Sequence, residues 1–78
     1  MRFRVEIKYK DGVEDPEAVT ILKNFGILGY RSIKNVRTSK VYYIDADDEE
    51  DVKQVTNKIL ANPVIQTYTI EKVDGSNF

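Results

Sequence analysis

The side chains with the most capacity for chemistry in this chain are its carboxylates, lysines and arginines, because the 78 residues include no histidine and no cysteine. Those two absences remove disulfides, thiolate or imidazole metal sites and any Cys/His or Ser/His nucleophile pair. The densest cluster is acidic, where Asp45, Asp47 and Glu49 alternate as the early ligands of a calcium loop do. Such a loop needs glycine at its sixth position and a bidentate Glu at its twelfth, and these positions hold Glu50 and Thr56. A solvated helix start explains the run better, since carboxylates there meet the positive end of the helix dipole. Arg2, Arg4, Lys8 and Lys10 offer a basic strand face, but the aromatic string of an RNA-binding sheet is missing and the acidic stretch would repel a phosphate backbone. Asp11-Gly12 precedes no phosphate-loop or dinucleotide-loop pattern. Ser32, Ser39 and Ser76 have no histidine to activate them, so no catalytic, cofactor-binding or metal-ligating residue is assigned.

Composition sets the frame for these groups. Apolar residues make up 41% and charged residues 32%, values of a folded globular chain and not of a disordered one. A chain of this length forms one domain, expected over residues 1–78 with 74–78 a frayed tail. It buries roughly 60% of its unfolded surface, a thin margin that favours burying more against another chain. The net charge of −1 provides no positive field for nucleic acid or an anionic membrane. No apolar run approaches the ~20 residues of a membrane span, and the first residues are charged, so the expected compartment is the cytoplasm.

Phe3, Val5, Ile7 and Tyr9 alternate with Arg2, Arg4, Glu6, Lys8 and Lys10, which predicts a strand with one apolar and one charged face. Asp15-Pro16 predicts a helix start, with Asp15 as N-cap and Pro16 in the first turn. Ala18, Val19, Ile21, Leu22 and Phe25 give that helix a packing stripe, and Gly26 and Gly29 end it. Ile33, Val36 and Val41-Tyr42-Tyr43-Ile44 predict a hairpin turning near Thr38-Ser39. The acidic run opens a second helix with Val52, Val55, Ile59 and Leu60 as its buried stripe; Asn62-Pro63 stops it, and a last strand runs from Val64 to Val73.

The order is β-α-β-β-α-β, which predicts an α+β two-layer sandwich of ferredoxin-like order, an antiparallel four-stranded sheet with two helices on one face. Two helices cover one face only, so an apolar patch around Tyr43 and Ile65 on the other would need a partner.

Three segments then resemble one family. Ile59-Leu60-Ala61-Asn62-Pro63-Val64-Ile65-Gln66-Thr67-Tyr68-Thr69-Ile70 is similar to the joint between last helix and last strand in PurS, the small subunit of phosphoribosylformylglycinamidine (FGAM) synthase. Lys10-Asp11-Gly12-Val13-Glu14-Asp15-Pro16-Glu17-Ala18 resembles that family's entry to the first helix. Val36-Arg37-Thr38-Ser39-Lys40 stands where the family commonly has V-R-x-G-K, with Ser39 in place of the glycine. The likeness runs from about Glu6 to Glu71.

The resemblance implies a cytoplasmic subunit of the purine-biosynthesis complex that turns FGAR, ATP and glutamine into FGAM. It also implies that this chain is inactive alone and binds no cofactor, ATP and magnesium being used elsewhere in the complex. In the family, a PurL subunit carries the ligase site, a PurQ glutaminase releases ammonia, and a PurS homodimer or higher oligomer bridges them and assists ammonia transfer. On that basis Tyr43 and Ile65 are candidates for the homodimer face, and Arg37, Lys40, Asn62 and Pro63 for contacts with the large subunits. The element order also fits an ACT-type module that binds a small regulatory molecule, a reading that calorimetry with amino acids would separate.

Overall fold

The computed structural model describes residues 1–74; the tail expected to fray lies outside these, apart from Asp74. The alternation at the start of the chain forms β1 over Arg2–Tyr9, with Phe3, Val5 and Ile7 almost fully buried. β1 is the centre of a three-stranded antiparallel sheet of order β2-β1-β3, flanked by β2 over Ser39–Asp45 and β3 over Gln66–Val73. Register sets the two faces: Phe3 opposite Ile44, Val5 between Tyr42 and Ile70, and Ile7 opposite Tyr68 form the apolar face. Arg4 between Tyr43 and Glu71, with Glu6 between Val41 and Thr69, belongs to the other.

α2, over Glu49–Val55, begins on an Asp48 N-cap whose carboxylate accepts from the Glu50 N–H. It continues as a π-helical turn over Thr56–Leu60, closed by Ala61 N–H donating to the Thr56 carbonyl at 2.9 Å. Val52 and Ala61 join Phe3, Val5 and Ile7 in the core, with Leu60 packed against it. The expected stripe is therefore partly wrong. Thr56 takes the buried position four residues after Val52 and donates its hydroxyl to the Val52 carbonyl at 2.7 Å, which leaves Val55 and Ile59 exposed. A threonine can enter a core on these terms because its one polar hydrogen is satisfied within its own helix.

α1 spans Pro16–Ile27 with Asp15 as N-cap. It runs through Gly26 and ends at Gly29, which takes φ +95° while Tyr30 N–H donates to the Phe25 carbonyl. Ala18 is the one fully buried residue of α1; Ile21, Leu22 and Phe25 are half-buried and the rest of the helix is exposed. The molecule is accordingly elongated, 48 × 31 × 15 Å, with a radius of gyration of 15.8 Å against about 11.5 Å for a compact chain of this length.

Two expectations are corrected here. The hairpin does not form, and the described residues make a β-α-β-α-β order with three strands, not four. Thr38 is tied to Asp15, and Ser39 already pairs with Lys8 in β2, so the chain passes straight from residues 31–38 into the sheet. The last strand begins at Gln66 because Asn62–Ile65 is spent on a turn, with Ile65 and Gln66 N–H groups both donating to the Asn62 carbonyl.

Candidate partner-binding surfaces

The Asp15 carboxylate joins two elements. One oxygen caps α1 by accepting from the Ala18 N–H at 3.0 Å, and the other accepts from the Thr38 N–H and hydroxyl at 2.9 and 2.7 Å. These donors, Ala18 first, hold the Asp15 carboxyl below its ordinary range. Beside the clasp lies a groove of about 450 Å³ between the end of β1, the first half of α1 and residues 35–39. Val13, Ala18 and Leu22 make its apolar wall, and Lys8, Lys10 and Glu14 give it charges of both signs.

The sheet face away from α2 is a polar network. Arg4 lies 3.3 Å from Glu6 and 3.9 Å from Glu71, and its affinity for its proton is raised by hydrogen bonding to Tyr43 first and Glu6 second. Glu6 also accepts from the Ser39 hydroxyl at 2.8 Å, the largest cause of its lowered pKa. At the opposite end of the strand Arg2 forms a two-bond pair with Asp45 that lowers the Asp45 pKa.

This arrangement corrects the apolar second face. Tyr43 is 45% exposed, but it sits beside Arg4 among charges, and Ile65 is half-buried in the turn before β3. The two do not share a patch. Arg37 is at no hairpin tip; its guanidinium meets Asp11 at 2.9 Å and holds that carboxyl low. Lys40, in β2, places its ammonium 5.1 Å from the Tyr42 ring centre on the apolar face. Asn62 and Pro63 are together in the turn, where Asn62 accepts from the Val64 N–H and donates its own N–H to the Gln66 side chain at 2.7 Å. Of the six candidates, only Asn62, Pro63 and Ile65 are brought together.

What sequence reasoning missed is apolar exposure. Ile27, Leu28 and Tyr30 at the end of α1, Ile59 on α2 and Val64 in the turn are all more than 60% exposed. Spacing gave no warning of this at Val55 and Ile59, which share the i, i+3, i+7 face with Val52 in a regular helix; the π-helical turn over Thr56–Leu60 breaks that periodicity.

A general acid or base needs a pKa near the working pH, whereas Glu6, Asp11, Asp15 and Asp45 are all held lower than usual by donors and cations. Among the described residues no three His, Cys, Asp or Glu side chains come together as metal ligands, and no helix is long and apolar enough to cross a membrane.

A family model described as "PurS: Phosphoribosylformylglycinamidine (FGAM) synthase" matches residues 2–74. The subunit PurS of phosphoribosylformylglycinamidine synthase from Archaeoglobus fulgidus is 42% identical over 72 residues, covering 85% of this chain and 90% of that protein. The crystal structure of Methanocaldococcus jannaschii PurS, described as a subunit of formylglycinamide ribonucleotide amidotransferase in the purine biosynthetic pathway, superposes with a TM-score of 0.74. It is 38% identical and covers 94% of this chain and 98% of that one. A chain of PurLQS from Thermotoga maritima shares the fold at a TM-score of 0.66 and 24% identity, covering 92% and 95%. None of these three is an ACT-type module.

Proposed function

The chain belongs to the PurS family of FGAM synthase subunits, and from that premise we propose that it contributes to the purine-biosynthetic ligase as a bridge and not as a catalyst. It joins a PurL-type ligase subunit to a PurQ-type glutaminase as a homodimer or higher oligomer, and assists the passage of ammonia between them. ATP and magnesium act in the ligase subunit, and the assembly works in the cytoplasm. The observation that carries this reading is the shape: a 15.8 Å radius of gyration, with α1 fully burying Ala18 alone, leaves a small chain with far more surface for contact than its core needs.

Arg37, Lys40, Tyr43, Asn62, Pro63 and Ile65 are contacts in that assembly. Tyr43, within a charged network, suits a wet contact with a large subunit better than an apolar homodimer seam. The four-stranded sheet belongs to the assembled state. The outer edge of β2 pairs with no strand among the described residues, and such an edge is a template for an added one. Residues 33–38, with Ile33 and Val36, have the composition to supply it.

Pull-down from native lysate tests the bridging. Recovery of one ATP-dependent ligase and one glutaminase supports it; recovery of neither under several salt conditions contradicts it.

A further inference from the structure

Resting on the reading that the chain bridges two larger subunits, we propose that the outer side of α2 and its π-helical turn, centred on Ile59, docks into an apolar pocket with a cationic rim on the ligase subunit. In a regular helix Val52, Val55 and Ile59 share one face, and all three would meet the core. The π-helical turn over Thr56–Leu60 prevents this: Ala61 N–H donates to the Thr56 carbonyl five residues back, so the turn takes in one residue more than an α-helical turn does. Leu60 and not Ile59 then packs against the core. Ile59 stands 75% exposed, and Val55, four residues before it, 37%. Single π-helical turns are rare and recur at functional sites. The effect of this one is to present a branched apolar side chain that a regular helix would bury.

The charges along α2 select the occupant. Asp51 precedes Val55 by four residues and shares its side of the helix. Lys53, two residues from Asp51, faces nearly the opposite side, where it lies 3.6 Å from Glu49. Residues 45–60 carry six carboxylates against Lys53 and Lys58, a net of −4. An apolar anchor in an anionic field suits a pocket rimmed by lysine or arginine. A second copy offering the same surface would set acid against acid, since a two-fold contact pairs a patch with itself. Of the two larger subunits, the ligase handles ATP and a ribonucleotide, both anionic, and a protein that gathers such ligands carries a positive field. The glutaminase works on glutamine, which has no net charge and makes no such demand.

Calorimetric titration of the full chain into the ligase subunit, and separately into the glutaminase subunit, tests this. Ile59→Ala and Ile59→Asp remove the anchor, and Asp51→Lys reverses the charge beside it; both positions are exposed, and circular dichroism with a thermal melt checks that each variant keeps its fold. Wild type should bind the ligase, and more weakly as salt rises. Ile59→Asp and Asp51→Lys should each raise Kd for the ligase by about tenfold or more, while binding to the glutaminase stays as in wild type. Ligase binding at full strength by both Ile59 variants, tighter binding by Asp51→Lys, a wild-type Kd indifferent to salt, or a loss confined to the glutaminase overturns the proposal. The bridging role fails separately. Wild type that binds neither subunit would end that role, whereas variants that bind the ligase as wild type does would sink this surface and leave the role intact.

Discussion

Asp15 and Thr38 are 23 positions apart, yet one carboxylate oxygen of Asp15 accepts both the backbone N–H and the hydroxyl of Thr38 while the other caps α1. The start of the helix and the approach to β2 are thereby fixed by a single side chain. Because Ala18 is the one fully buried residue of α1, this clasp does much to set where the helix leaves the sheet.

Asp15→Ala removes all three hydrogen bonds. The urea midpoint should fall while circular dichroism of the sheet persists, and amide exchange should quicken across residues 16–20 and 36–38 but not in β1. Asp15→Asn, which keeps an acceptor oxygen for the cap, should lose less. Equal exchange in the alanine variant and wild type would contradict the clasp.

Acid should weaken the fold on one side of neutrality. Asp15, Asp45, Glu6 and Asp11 all have depressed folded-state pKa values. Their contribution is fully present above the unfolded carboxylate values of about 4 and is lost as pH falls through the lower folded values. The denaturant midpoint should be flat from neutral pH to about 5 and then drop. Arg2→Ala, which unpairs Asp45, should make that drop shallower.

The core is small enough for one residue to decide stability. Phe3 is fully buried against α2, so Phe3→Ala should cost about 3–5 kcal/mol, a large share of the roughly 5–15 kcal/mol typical of a domain. Ile59, 75% exposed, sets the contrast: Ile59→Asp should change monomer stability by only about 0.5 kcal/mol. Guanidinium titration of both variants checks the pair.

Asn62→Ala loses the side-chain acceptor of the Val64 N–H. The expected loss is about 1 kcal/mol, the net worth of one hydrogen bond. Because the turn presents Pro63 and Val64 at the surface, the same variant should weaken capture of a large subunit more than it lowers the melting temperature would suggest.

Much of this architecture is legible in local chemistry. The alternation from Arg2 to Lys10, the Asp15-Pro16 start of α1 and the acidic start of α2 each follow from interactions within a few residues, and each is found. The hairpin failed because Val36, Thr38 and Val41 satisfy strand propensity equally well in one straight passage; the partner that decides is Asp15, far off in sequence. The stripe of α2 failed at Val55 and Ile59 because a π-helical turn shifts the periodicity on which the expectation rested. The apolar patch expected around Tyr43 is not found for a related reason: Tyr43 looks apolar in sequence, and only the register that sets it beside Arg4 reveals a polar face.

The most direct test of the bridging role is reconstitution with the cognate ligase and glutaminase subunits, following FGAM formation with either glutamine or ammonium as nitrogen source. Omitting this chain should abolish the glutamine-dependent rate and spare the ammonium-dependent one, and adding it back should restore the first. A glutamine-dependent rate that is the same with and without the chain, or turnover by the chain alone, would contradict the account.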